Sequence, residues 1–180
     1  MWFLALASFV LSGFLLGLSV FPGVLEQIPS PVDWVLGGGL ALVATGLAVR
    51  HLFESARPRR RAIVVLLCAV LTPILLLANV PRRAIFAQYR GEFERLLEQA
   101  PPPGSRAVVG LNADLRIYWV DQWGTDARGG TYFRTMAGSG PSRASFGFVH
   151  RPNPDGSPFG DQDYKLHRLT GDWYSFAVAE

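Results

Sequence analysis

Charge is missing from the start of this chain: no Asp, Glu, Lys or Arg occurs between Met1 and Leu25. The chain has 180 residues with 17 basic and 14 acidic side chains. Only eight of these fall in the first 80 residues: Glu26, Asp33, Arg50, Glu54, Arg57, Arg59, Arg60 and Arg61. Such asymmetry excludes a plain soluble globular protein and a disordered charged tail. Cysteine is nearly absent as well. Cys68 stands alone, which excludes an intramolecular disulfide and a cysteine zinc site. Lysine is reduced to Lys165, so Arg supplies the other basic residues. With 19 Gly and 13 Pro, this is the composition of a GC-rich, bacterial coding sequence, and the Arg excess carries little functional weight by itself. The formal charge of +3 is small and dispersed, which argues against a nucleic-acid partner.

Catalytic signatures are lacking too. The sequence contains no GxSxG, HExxH, phosphate-binding loop, dinucleotide fingerprint or paired-cysteine spacing. His51, His150 and His167 are far apart in sequence. His150 and His167 with Asp161 or Asp163 have no local metal-ligand spacing and read as solvated strand residues. Asp155-Gly156 through Asp163 lacks the acidic ladder and final Glu of a calcium loop and reads as a plain turn. The expectation is a non-enzymatic protein with no cofactor and no metal.

What is present is hydrophobic length. A helix needs about 20 apolar residues to cross a hydrocarbon core about 30 Å thick. Residues 1–81 are expected to form a three-span transmembrane region, with spans at about 2–22, 32–53 and 61–80. The first lacks the basic n-region of a signal peptide, and its apolar run is too long for one, so it is expected to remain uncleaved. The second opens with Ser30-Pro31-Val32-Asp33, a helix-start pattern, and has Trp34 and Arg50 at its two interfaces. The third carries Pro73 near its middle, where a kink is expected. No charged residue lies in mid-span, which argues against a transporter working alone.

Orientation follows from Arg placement. The turn holding Arg57, Arg59, Arg60 and Arg61 is expected in the cytoplasm, since the turn between the first two spans carries no Arg. The protein is then a multi-pass protein of the plasma (inner) membrane, with its C-terminal domain extracytoplasmic. Gly13 and Gly17, and Gly37, Ala41 and Thr45, form small-residue stripes suited to close helix packing, among the spans themselves or against a partner helix.

Residues 82–104 read as a juxtamembrane amphipathic helix and a Pro-rich linker. Phe86, Tyr89, Phe93, Leu96, Leu97 and Ala100 recur at three- and four-residue steps, and Pro101-Pro102-Pro103-Gly104 ends the helix. Its apolar stripe is expected to pack on the domain that follows. Residues 105–180 read as a small all-β domain, an antiparallel sheet, curled barrel or sandwich. Strands are expected near Ala107–Gly110, Leu115–Val120, Tyr132–Met136, Phe146–Phe148, Tyr164–Leu166 and Trp173–Val178. Turn residues such as Arg128-Gly129-Gly130 and Pro154-Asp155-Gly156 separate them. Asp121, Trp123 and Asp126 form an aromatic-polar cluster expected in a loop, where binding residues concentrate.

The fold class expected is therefore a three-helix membrane region plus a small antiparallel β domain. Its expected role is to display that domain outside the cytoplasm, binding or positioning an envelope partner. The alternative is an accessory subunit of a larger membrane transporter or envelope complex, acting through its transmembrane helices. The partners implied are the lipid bilayer and a protein of the envelope or a second copy of the chain.

Overall fold

The computed structural model describes residues 2–23, 59–102, 108–137 and 144–179. The chain divides into two compact units, residues 1–19 with 28–81, and residues 20–27 with 82–180.

In the first unit, α1 (Trp2–Leu18) and α2 (Arg59–Leu77) pack side by side. α1 is 17 residues without a charge, a length that rises about 26 Å. It stops earlier than the expected span end at residue 22. Ser19 turns back, its hydroxyl donating to the Leu16 carbonyl at 2.7 Å, and Pro22-Gly23 cannot continue a helix. α2 begins with Arg59, Arg60 and Arg61, and keeps Pro73 inside it. Two residues past its end, Asn79 has a φ of 51°, the left-handed conformation that closes helix C-termini. The expected second span, with Gly37, Ala41 and Thr45, lies outside the described residues, as does Arg57.

No single helix among the described residues is long and apolar enough to cross a membrane. One bent pair, Leu66–Leu77 followed by Val80–Leu97, is compatible with crossing by length and composition. Its second member carries Arg82, Arg83, Arg90, Glu92, Glu94 and Arg95 and buries Phe86 and Phe93 in the core of the C-terminal unit, to which it belongs from Arg82 on.

In the second unit, α3 (Val80–Leu97) continues from Arg82 into a six-stranded antiparallel sheet. The strands are β1 (Val109–Leu115), β2 (Tyr118–Thr125), β3 (Thr131–Ala137), β4 (Ala144–His150), β5 (Gln162–Thr170) and β6 (Trp173–Ala179), in the order β1-β2-β3-β4-β6-β5. The sheet is open, with β1 and β5 as edges, so it is not the closed barrel that the strand spacing also allowed.

One strand boundary differs from expectation. Leu115 to Val120 alternates in sequence like a single strand, but Arg116-Ile117 is a two-residue hairpin turn between β1 and β2. Arg116 has φ 67°, and its amide donates to the Asp114 carboxylate at 2.8 Å. This side-chain bond makes a turn where no Gly or Pro announces one.

The sheet is apolar on both faces. Phe133 pairs with Phe148, and their neighbours Tyr132 and Val149 pair on the opposite face. The first face, with Tyr118, Val120, Trp123, Phe133, Phe148 and Trp173, receives Phe86 and Phe93 from α3. The second, with Tyr132, Val149, Phe176 and Val178, is closed by Phe159 from the loop before β5. Strand β4 lies between these two clusters, and Ser145 through Val149 are all buried. Ser145 and Gly147, which alternate with Phe146 and Phe148, are therefore buried too. A Cβ at Gly147 would collide with the Phe133 carbonyl, so glycine lets the two backbones approach there.

Candidate functional site

The aromatic-polar cluster singled out in the sequence lies mostly in a strand, not a loop. Asp121 and Trp123 belong to β2, and only Asp126 enters the following turn. Asp121 holds Arg134 of β3 through two oxygens, Nε to Oδ1 at 3.0 Å and Nη2 to Oδ2 at 2.6 Å. The same guanidinium stands over the Phe159 ring at 5.5 Å. A bidentate, half-buried pair of this kind ties the loop before β5 to the middle of the sheet. Trp123 is buried with its ring 6.2 Å from that of Phe133.

Asp126 is buried and fully engaged. Its Oδ1 accepts the amides of Arg128 at 2.7 Å and Gly130 at 2.9 Å, and its Oδ2 accepts the amide of Asn153 at 3.0 Å. One carboxylate thereby fixes the β2–β3 turn and the start of the β4–β5 loop. Beside it is an open groove of about 440 Å³ lined by Asp126, Asn153, Asp155, Gly156, Ser157 and Asp161 among others. Asp155 is paired with Arg128 at 2.8 Å. No group of three or more His, Cys, Asp or Glu among the described residues is placed to hold a metal ion.

A phenol network lies under the same loop. The hydroxyls of Tyr132 and Tyr164 meet at 2.9 Å, the Asn153 amide donates to Tyr132 at 3.1 Å, and Tyr132 lies 3.2 Å from the Gly156 carbonyl. Burial pushes Tyr132 well above the ordinary phenol range, the bond to Tyr164 adding to it. Tyr164 is pushed up to about 12, chiefly by burial. Both phenols stay protonated at neutral pH and tie the loop to the sheet as hydroxyls.

The two histidines of this unit do not converge. His150 is on β4 and His167 on β5, with β6 between them. His150 packs 5.1 Å from the Trp173 ring. Burial, and then the neighbouring Arg151, hold its imidazole below the usual range. Asp172 has its carboxyl held below the usual range by its bond to Arg151 at 3.0 Å.

In the first unit, Arg59, Arg60 and Arg61 open α2. Gly13 and Gly17 lie on α1, where an added Cβ at either would meet nothing within 4 Å.

The feature that sequence reading missed is the strap at residues 20–23, which belongs to the C-terminal unit although it directly follows α1. The Val20 carbonyl accepts the Tyr118 hydroxyl at 3.3 Å, and Phe21 packs edge-on against the Tyr118 ring at 5.9 Å. Burial raises the Tyr118 phenol above its ordinary range, so it remains a donor. Gly23, at φ 86°, lies so close over the Phe146 ring that a Cβ would overlap it. The only sequence signal is Phe21-Pro22-Gly23, an aromatic before a turn. Nearby, the buried Arg82 donates to the Ser175 hydroxyl at 3.3 Å.

No protein-family model, no curated protein and no solved structure matches this chain.

Proposed function

We propose that this is a non-enzymatic, multi-pass protein of the bacterial inner membrane that displays its α3-and-sheet unit outside the cytoplasm, to bind or position an envelope partner. The observation that carries the reading is the outward apolar surface of the first unit. Phe9, Val10 and Phe14 of α1 and Leu67, Val70, Leu71, Ile74 and Leu77 of α2 are all exposed. Eight large apolar side chains left exposed on two helices are better accommodated by lipid than by water. The strap supports retention of α1 as an anchor. A signal peptidase cutting after Phe21 or Pro22 would remove Phe21 and the Val20 carbonyl from their contacts with Tyr118.

In the second unit, Asp121, Asp126 and Tyr132 are consumed in fixing the sheet and its loops, which supports a binding module over a catalytic one. The second reading, an accessory subunit acting within the bilayer, is favoured by one observation: Gly13 and Gly17 leave open space on α1 that a partner helix can approach closely.

Topology reporters test the main reading. Alkaline phosphatase fused after Glu180 is expected to be active and green fluorescent protein there dark. Fused at the Arg57–Arg61 turn, the two are expected to reverse. The opposite pattern overturns the orientation. Crosslinking distinguishes the two readings: partners recovered equally well after deletion of 105–180 support the in-membrane role.

A further inference from the structure

We propose that the β1–β2 hairpin tip, Arg116 to Trp119, is a second contact with the bilayer, seated in its headgroup region. The inference rests on the membrane reading above. Ile117 is 36% exposed and Trp119 is 53% exposed, the latter the most exposed large hydrophobic residue among the described residues of the sheet unit. Isolated exposed apolar residues are ordinary on protein surfaces. These two differ because of where the chain places them.

Tyr118, between them, donates its hydroxyl to the Val20 carbonyl and packs on Phe21. Val20 is two residues beyond Leu18, the last residue of α1. Two residues span at most about 7 Å. The hairpin tip is thus tied, through contacts inside its own unit, to the point where the charge-free helix ends. With α1 in lipid, that point is the membrane–water interface, the layer that Trp prefers because its ring is apolar and its N–H is polar.

The tip carries one basic side chain, Arg116, beside the carboxylates of Asp114 and Glu92. The Arg116 side chain is 77% exposed and keeps only a long pair to Glu92 at 3.5 Å, so its guanidinium is placed to meet lipid phosphate. The exposed Val108 and Val109 are not part of this surface. Val109 pairs with Trp123, toward the far end of the hairpin. The β2–β3 turn is farther still, since the eight residues of β2 extend roughly 26 Å.

The test uses the full chain in a Cys68→Ser background, reconstituted into liposomes of phosphatidylcholine and phosphatidylglycerol. An environment-sensitive NBD fluorophore is placed on Ile117→Cys or, as the distant control, on Ala127→Cys in the exposed β2–β3 turn. Flotation of the liposomes is measured first. The expected result is that the chain floats, that the residue-117 probe emits to the blue of the residue-127 probe, and that nitroxide-headgroup lipid quenches the first and spares the second. Adding Trp119→Ser is expected to reduce quenching at residue 117. A chain that floats while both probes report water overturns the hairpin contact alone. A chain that does not float overturns the membrane reading and this inference with it.

Discussion

Phe14 and Phe93 are the same side chain in two helices of similar length, yet Phe14 is 61% exposed and Phe93 is 0% exposed. That contrast runs through both regions. In the C-terminal unit the apolar residues face one another. Phe93 has the rings of Phe86, Tyr118, Phe133, Phe148 and Trp173 within 5.2–6.1 Å. In the N-terminal unit Phe9, Val10 and Phe14 of α1 and Leu67, Val70, Leu71, Ile74 and Leu77 of α2 are exposed instead. Each buried Å² of apolar surface stabilises by about 25 cal/mol in water, a gain that the first arrangement collects within itself and that the exposed side chains of the second leave open. One chain thus carries two solutions to the same hydrophobic problem, and the strap at residues 20–23 joins them.

The comparison breaks most sharply at those two rings. Phe93→Ala is expected to cost on the order of 3–5 kcal/mol, because the ring fills a space bounded by five aromatics. Phe14→Ala is expected to leave the unfolding of the sheet unit unchanged. Urea denaturation of the full chain in detergent micelles, followed by tryptophan fluorescence, measures both. Equal midpoints for the two variants would erase the distinction between the regions.

A smaller effect is expected at Asp126. Asp126→Ala leaves three amides without their acceptor, at a cost of about 1–3 kcal/mol. The specific signature is faster hydrogen exchange at Arg128, Gly130 and Asn153, the three donors. Unchanged exchange at all three would show that the carboxylate does not hold the turn.

The smallest effect is a pH dependence confined to the C-terminal unit. His150 has a folded value held below about 6.5, so below that pH the unfolded chain binds the proton more readily. Stability is therefore expected to fall as pH drops from 7.5 through 6.5 toward the lowered folded value. Asp172, also lowered, contributes in a separate window, losing its stabilising pair only as pH falls below about 4. His150→Phe is expected to flatten the upper window and leave the lower one. A slope between pH 7.5 and 5.5 that survives the substitution assigns it to another group.

Much of the C-terminal unit was legible because its signals are local. The stripe from Phe86 to Ala100 gave the α3 helix and its buried face, and aromatic alternation gave β3, β5 and β6 within a few residues. The β1–β2 turn was hidden because it is made by the Asp114 side chain, while Leu115–Val120 keeps an unbroken alternation. The two-faced core was hidden because Ser145 and Gly147 look like solvent positions until Phe159 and the Phe133 backbone are seen to cover them. The Asp121–Trp123–Asp126 cluster was visible as a cluster, but its partners Arg134, Phe133 and Asn153 come from other elements. The strap was hidden for the same reason: Phe21 meets Tyr118 across nearly a hundred residues of sequence.

Extraction at alkaline pH tests the central claim most directly. Membranes from cells expressing the full chain are washed with sodium carbonate, which strips peripheral proteins and leaves embedded ones in the pellet. The protein is expected to stay in the pellet and to enter solution only with detergent. Release into the carbonate supernatant would mean that α1 and α2 bury their outward apolar faces against something other than lipid, and would contradict it.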